Sequence, residues 1–253
     1  MYFIYIQFYI MKLKCLLFMI LIFFIYKIKT VTFKPIEIQP DIIYNTGGYY
    51  GFYQLGVCHY IKNNFDYKNK IALGISAGSW INLFMSLDHN KSNHFLNNVF
   101  KNIPHDCPIN KLPKLFKTII QDYKFEDFNT SNMNIAVSDI GNRKLNVYNN
   151  FLTLDEIIRC CTASSFVPFI TYKDLFYFYK NKLSFDGGLL KRFYLNHIDT
   201  EKTLIIKYNM FNRFNWYPLK SFFKPKYSFY ELYIVGYNDA IKNHDYLEKY
   251  FRD

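Results

Sequence analysis

Ser76 lies at the centre of a G-x-S-x-G motif, GISAGS at residues 74–79, a pattern typical of an activated serine nucleophile. An apolar stretch precedes the motif and an amphipathic stretch follows it, which predicts a strand before Ser76 and a helix after it. Gly74 and Gly78 leave room in such a sharp turn, and the amide groups at the helix start would favour developing negative charge. Ser76 is therefore a candidate nucleophile; the alternative is a structural serine in a tight turn.

A serine hydroxyl needs a base, and Asp186 is one candidate. The segment FDGGLL places Asp186 at the end of a predicted strand, where sites in α/β sheets are built. Gly187 and Gly188 follow directly, so the backbone can turn away and bring the carboxylate close to a neighbour. The alternative reading is an ordinary Asp-Gly turn.

Histidine is the more usual base. In the chain order serine, acid, histidine, only His197 and His244 follow a plausible acid. His197 comes just after DGGLLKRFYL, and His244 continues the apolar stripe of the last predicted helix. Each reads more simply as a structural or surface histidine, and a Ser–Asp–His triad stays open as an alternative.

The loop TGGYYG concentrates glycines between a predicted strand and a predicted helix. With a serine nucleophile nearby, Gly47, Gly48 and Gly51 would present N–H groups to the oxyanion of a tetrahedral intermediate. Gly56, further along, would let the helix pack closely on the sheet. A nucleotide-phosphate loop is the rival reading, but the P-loop pattern is missing and Thr46 replaces the first glycine of G-x-G-x-x-G. The third possibility is a turn that binds no ligand.

Short apolar strands alternate with amphipathic helices along residues 40–253, which predicts one α/β domain with a central, mostly parallel sheet and helices on both faces. The predicted strands are 42–44, 71–73, 134–138, 144–148, 183–185 and 203–208, and the predicted helices are 51–64, 77–87, 111–123, 154–163 and 229–241.

Residues 1–29 are strongly apolar, with an uninterrupted run at 15–26 flanked by lysines. That run alone is shorter than the ~30 Å hydrocarbon core requires, but a longer span is possible if Lys12 and Lys14 are included. The segment predicts a membrane anchor; a secretory signal beginning at Met11 and a buried core helix are the alternatives.

The formal net charge of the 253-residue chain is +11, which favours anionic surfaces, yet no nucleic-acid-binding signature occurs. We expect no nucleic-acid partner. The five cysteines are odd in number and irregularly spaced, which argues against a disulfide framework and a zinc site. We expect reduced, mostly buried thiols, no metal and no cofactor.

Three motifs in this order resemble those of the patatin-like phospholipase family: TGGYYGFYQLGV, GISAGS and FDGG. The segment TASSFVPF at 162–169 also resembles the family's Ala-Ser…Pro stretch, and GYNDAI at 236–241 looks closest to the adiponutrin and adipose triglyceride lipase branch. The resemblance covers roughly residues 40–242. Two positions depart from it: Thr46 replaces a glycine, and Tyr50 stands where many members carry Arg or Lys.

The resemblance implies a patatin-like sandwich that hydrolyses lipid acyl esters with a Ser–Asp dyad and no catalytic histidine. Ser76 would be the nucleophile and Asp186 the base, while Gly47 and Gly48 would form the oxyanion hole. The implied partner is a lipid at a membrane or droplet surface; the sequence names no protein activator. A triad esterase, an acyltransferase with a lipid acceptor and a non-catalytic lipid-binding relative remain alternatives.

Overall fold

A computed structural model describes residues 38–105, 107–211 and 227–252, with only the backbone of Phe193 described. The predicted anchor or signal segment at 1–29, together with Cys15, lies outside these ranges. Within them, no helix combines the length and apolar character that crossing a bilayer requires. Cys58, Cys107, Cys160 and Cys161 are all buried.

Seven strands form one mixed sheet in the order β5-β6-β3-β2-β1-β7, and β4 also pairs with β3. Strands β7, β1, β2 and β3 are parallel neighbours, whereas β4 and β6 run antiparallel to β3. Because β5 is antiparallel to β6, it runs in the same direction as the parallel group. The predicted α/β class with a mostly parallel sheet is therefore confirmed. The strands are β1 Ile42–Tyr44, β2 Ala72–Ile75, β3 Met133–Asp139, β4 Lys144–Tyr148, β5 Tyr177–Tyr179, β6 Lys182–Phe185 and β7 Leu204–Ile206.

The helices connect these strands and include three elements that the sequence pattern missed, α3, α6 and α8. They are α1 Gly51–Asn64, α2 Ala77–Ser86, α3 His89–Asn102, α4 Leu112–Ile120, α5 Leu154–Ser164, α6 Lys191–Leu195, α7 Phe229–Lys242 and α8 His244–Glu248. Helix α7 ends at Lys242, so His244 begins α8 and does not continue the stripe of the preceding helix. Ile241, expected on that stripe, is 47% exposed.

Successive residues of the strands contribute to opposite faces of the sheet, as the strand period of two requires. Ile42 and Tyr44 join the larger core cluster, which also contains buried residues of α1, α2, α3 and α7. Ile43 joins a smaller cluster, to which Tyr194 of α6 also belongs. The parallel strands are thus buried on both faces, which fits their nearly continuous apolar sequences.

Helices α1 and α7 cross in backbone contact at two glycines. A Cβ atom on Gly56 would lie 2.0 Å from the carbonyl oxygen of Tyr233, and one on Gly236 would lie 2.0 Å from that of Tyr53. Side chains at these positions would force the helices apart. Gly56 therefore permits contact with another helix, and the expectation that it packs on the sheet was wrong.

Candidate active site

Ser76 occupies a strained turn between β2 and α2. Its backbone has φ 58° and ψ −124°, a left-handed conformation that non-glycine residues rarely adopt. The end of β1 passes directly over this turn, since a Cβ atom on Gly78 would lie only 1.9 Å from the carbonyl oxygen of Tyr44. The predicted strand–turn–helix is therefore present, and Gly78 is needed for its tight packing.

The side chains of Ser76 and Asp186 meet directly. Ser76 Oγ donates a hydrogen bond to Asp186 Oδ2 at 2.5 Å, and the Gly188 N–H donates to Asp186 Oδ1 at 2.7 Å. The Asp186 N–H in turn donates to the carbonyl of Phe166 at 2.8 Å. The carboxylate is thus oriented from its own backbone and from the following turn, with one oxygen available to the serine hydroxyl.

Burial shapes the acidity of Asp186. Asp186 is only partly exposed to solvent, and many protein atoms surround its carboxyl group. Removal of water from the carboxyl group raises its pKa from 3.8 to about 6. Hydrogen bonds from Ser76 and Gly188, and the positive charge of Lys191, oppose that rise. At neutral pH the carboxylate is ionised and can accept a proton, while its pKa lies closer to the working pH than that of a surface aspartate.

Two buried serines hold the backbone on either side of the dyad. Ser164 Oγ accepts a hydrogen bond from the Ser76 N–H at 2.9 Å and donates to the carbonyl of Ala136 at 2.7 Å. Ser138 Oγ donates to the carbonyl of Asp186 at 2.8 Å. Neither serine was predicted to have a role from the sequence, in which Ser164 stands out only as part of the TASSFVPF segment.

The glycine loop follows β1 and forms a short 3₁₀ turn, Gly48–Tyr50, before α1. Gly48 has φ 52°, which favours glycine, and it lines the same pocket as Ser76. Within the described ranges the N–H groups of Gly47 and Gly48 donate no hydrogen bond, whereas the Tyr50 N–H donates to Gly47 O at 3.0 Å. Of these two backbone donors, Gly48 is the one placed at the pocket that contains Ser76.

The other motif glycines lie where the elements of the site converge. A Cβ atom on Gly51 would be 3.0 Å from that of Ala77, and one on Gly74 would be 2.6 Å from Ser79 Cα. A Cβ atom on Gly187 would be 2.4 Å from Ala136 O. These contacts bring the loop, the serine turn and the aspartate turn together at the carboxyl edge of the parallel strands.

An apolar pocket extends from Ser76 between the helices of the larger core cluster. Helix α4 and the turn before it form one wall, and the indole ring of Trp80 stacks on Phe116 of that wall with 5.7 Å between centroids. A pocket with this lining fits a hydrocarbon chain. It is lined by Gly48, Gly51, Phe52, Leu55, Ser76, Ala77, Trp80, Ile81, Phe84, Phe95, Ile109, Leu112, Pro113, Phe116, Ser165 and Thr171.

Neither candidate histidine contacts the dyad. His197 is exposed beyond α6, and its side chain has no hydrogen bond to the described part of the chain. His244 Nδ1 lies 2.9 Å from the hydroxyl of Tyr60, which is nine residues, or about 13 Å, along α1 from Gly51 at the pocket. His244 also lies near Asp245 and Glu248, the one group of potential metal ligands in the described ranges, at that same distant end.

Lys191 is a further polar residue of the site that the sequence analysis did not identify. Its Nζ donates hydrogen bonds to Asn45 Oδ1 at 2.9 Å and to Thr46 Oγ1, both at the start of the glycine loop. Burial lowers the pKa of Lys191, and the charge of Asp186 opposes that change. No sequence motif marks this lysine; the only signal was its position five residues after Asp186.

Comparisons with known proteins find no match, neither among models of protein families nor among curated proteins.

Proposed function

We propose that this protein is a serine acyl-ester hydrolase that releases fatty acids from membrane or neutral lipids through a Ser76–Asp186 dyad. The observation that carries the proposal is the 2.5 Å hydrogen bond from Ser76 Oγ to Asp186 Oδ2 at one end of an apolar pocket. A nucleophile, its base, free backbone donors and a site for an acyl chain then lie together.

In the first half-reaction, Asp186 Oδ2 accepts the hydroxyl proton as Ser76 Oγ bonds to the acyl carbonyl carbon. The carbonyl electron pair moves onto oxygen, and the N–H groups of Gly47 and Gly48 stabilise that oxyanion. When the tetrahedral intermediate collapses, the alcohol leaving group departs and takes the proton from Asp186. An acyl-Ser76 ester remains, with its chain in the pocket.

In the second half-reaction, water gives a proton to Asp186 Oδ2 as its oxygen attacks the acyl carbon. Collapse of the second tetrahedral intermediate breaks the bond to Ser76 Oγ, which recovers the proton. The fatty acid is released and the dyad is restored. No separate histidine is needed, because the carboxylate accepts the serine proton directly at 2.5 Å.

A lipid substrate is supported by the pocket and by the surface beside it. The pocket lining is almost entirely aliphatic and aromatic, so it favours a long hydrocarbon chain over a polar acyl group. The outer surface of the segment that walls the pocket carries exposed Lys111, Lys114 and Lys117, which suits an anionic lipid interface. We also propose a patatin-like sandwich and attachment to the membrane through residues 1–29.

The alternatives have less support. A triad would need a histidine near Ser76, and neither His197 nor His244 is there. A lipid-binding relative without activity would not need a strained serine hydrogen-bonded to a carboxylate. Acyl transfer to a lipid alcohol would use the same residues and differs only in what attacks the acyl-enzyme.

Hydrolysis of a short-chain p-nitrophenyl ester and of mixed lipid vesicles tests the proposal. Wild type should release p-nitrophenol and fatty acid, and Ser76→Ala and Asp186→Asn should lose at least about 100-fold in kcat. The double variant His197→Ala/His244→Ala serves as the control and should keep most activity. A folded but inactive histidine variant would instead point to a triad, and a wild type that binds vesicles without hydrolysing either substrate would point to a binding protein.

A further inference from the structure

Lys191 links two segments of the site that are far apart in sequence. It begins α6, five residues after Asp186, and its ammonium group reaches the loop that follows β1. Asn45 Oδ1 accepts hydrogen bonds from Lys191 Nζ at 2.9 Å and from the Thr46 N–H at 2.7 Å, and Thr46 Oγ1 is the second acceptor for Lys191. One cation thus fixes both residues immediately before Gly47.

The same two segments also touch where the backbone of Gly188 meets the side chain of Thr46. A Cβ atom on Gly188 would lie 2.6 Å from Thr46 Cγ2 and 2.7 Å from Asp186 Oδ1, so the aspartate turn packs directly under the loop. From the other side, Gln54 Nε2 donates to Thr46 O at 3.4 Å. Three interactions therefore hold the glycine loop in place: the packing of Gly188 on Thr46, the hydrogen bond from Gln54 of α1, and the hydrogen bonds from the Lys191 ammonium group.

The charge of Lys191 acts on Asp186 as well. Desolvation disfavours the carboxylate, and Lys191 is the one charged group among the influences that lower the pKa of Asp186 again. The other influences are the neutral hydrogen-bond donors Ser76 and Gly188. The Lys191 charge is the smallest of these influences, but a cation held in a largely buried site is screened less by water than one on the surface.

We propose that Lys191 is a positioning residue of the dyad: its ammonium group ties the glycine loop to the Asp186 segment, and its positive charge favours the ionised Asp186 carboxylate. This inference rests on the proposed hydrolase function. It gives Thr46 a role, since the threonine hydroxyl is an acceptor that a glycine could not supply.

The experiment compares Lys191→Met, Lys191→Arg and Thr46→Val with wild type. Lys68→Met is the control for the loss of a positive charge, because Lys68 is an exposed residue far from the site. The pH profile of kcat/KM is measured on a short-chain p-nitrophenyl ester. For Lys191→Met we expect the acid limb to move to higher pH by about half a unit, or about threefold lower kcat/KM below pH 6. Lys191→Arg and Lys68→Met should keep the wild-type limb.

Thr46→Val keeps the Lys191 charge and the shape of the threonine side chain, but it removes the hydroxyl that accepts a hydrogen bond from Lys191. We therefore expect kcat to fall while the acid limb of the pH profile stays in place. A wild-type kcat in this variant would overturn the tie to the loop. An unmoved limb in folded Lys191→Met, or an equal shift in Lys191→Arg, would overturn the role of the charge.

A second measurement needs no turnover. The carboxyl ¹³C resonance of Asp186, assigned by its loss in Asp186→Asn, is titrated in wild type and in Lys191→Met. We expect a higher midpoint in the variant, and an unchanged midpoint would contradict the inference. If wild type hydrolyses no ester, the proposed function fails, while this titration still decides whether Lys191 acts on Asp186.

Discussion

Ser76 Oγ and Asp186 Oδ2 lie 2.5 Å apart although 110 positions separate the two residues in the chain. The contact forms because the two strands that precede these residues, β2 and β6, both pair with β3. Ile75 of β2 pairs with Ala136 of β3, and Phe185 of β6 pairs with Ser138 of the same strand. Each strand ends one residue before its functional side chain, so the sheet itself sets the spacing of the dyad.

The raised pKa of Asp186 predicts a pH-dependent cost in stability. A carboxyl pKa of about 6 in the folded protein, against 3.8 ordinarily, means that the folded state binds the proton more tightly than the unfolded chain. The stabilising contribution of the protonated Asp186 carboxyl is thus fully present below pH 3.8 and is lost as the pH rises through 6. The shift corresponds to at most about 3 kcal/mol.

Asp186→Asn should therefore raise the free energy of unfolding at pH 8, by up to about 3 kcal/mol, and leave it nearly unchanged at pH 3.5. Urea denaturation at the two pH values measures this. Asp174→Asn, which alters an exposed carboxylate, is the control. An equal effect of Asp186→Asn at both pH values would show that packing, and not ionisation, is responsible.

Ser164→Ala should reduce both stability and turnover. The substitution leaves the buried Ser76 N–H and the carbonyl of Ala136 without their partner, at a cost of about 1–3 kcal/mol. We also expect kcat to fall, because the hydrogen bond to Ser164 helps to hold the strained Ser76 backbone in place. Ser92→Ala removes a buried hydroxyl of α3 that bonds Asp88 O at 3.3 Å, so it should lower stability slightly without changing kcat.

Ile109→Trp should make the proposed hydrolase discriminate against long acyl chains. Ile109 is half-buried in the turn before α4 and lines the pocket, so a larger ring narrows the pocket while part of it stays in solvent. Hydrolysis of p-nitrophenyl acetate should persist, while that of a long-chain ester should fall about tenfold, the effect of losing roughly 1.4 kcal/mol of chain binding. Leu152→Trp, at a residue 80% exposed, is the control. Equal losses on both esters would contradict an acyl pocket here.

The lysines beside the pocket should govern binding to anionic lipid. Lys111, Lys114 and Lys117 recur every third residue, and within the described part of the chain the one ion pair that any of them makes joins Lys117 Nζ and Asp155 Oδ1 at 3.8 Å. Neutralising all three to Gln should weaken partitioning onto anionic vesicles at low salt by about 100-fold, and leave zwitterionic vesicles unaffected.

The matched control neutralises three exposed lysines near the opposite end of α1 and of the sheet: Lys68, Lys242 and Lys249. Both triple variants carry the same net charge, so equal loss of binding would mean that overall charge, and not this surface, attracts the lipid. Vesicle sedimentation with both lipid compositions provides the readout.

The sequence predicted best the elements whose apolar pattern coincides with their burial. The bounds of β1, α1 and β4 agree with the predicted ones. Helix α3 was missed because its buried residues, Ser92, Phe95, Leu96 and Val99, are diluted by Asn, His and Lys. Strand β5 was missed because it is short and half exposed, with Phe178 at the edge of the sheet 61% exposed.

Motifs identified Ser76 and Asp186 because a strained turn and an Asp-Gly-Gly segment leave local signatures. Ser164 has only its place in the TASSFVPF segment, and Lys191 has no motif. Their partners lie 88 and 145 positions away, and only the folded sheet brings them together. Gly56 was misassigned for the same reason, because the sequence shows that a close contact is needed but not which element makes it.

Covalent capture of the nucleophile tests the central claim most directly. The full chain is treated with an alkyl fluorophosphonate, and intact mass and peptide mapping locate the adduct. We expect one adduct on Ser76 in wild type and in His197→Ala/His244→Ala, none on this peptide in Ser76→Ala, and labelling at least about 100-fold slower in Asp186→Asn. Labelling of Ser76 that is equally fast without the Asp186 carboxylate, or that disappears in the folded histidine variant, would contradict a Ser–Asp dyad.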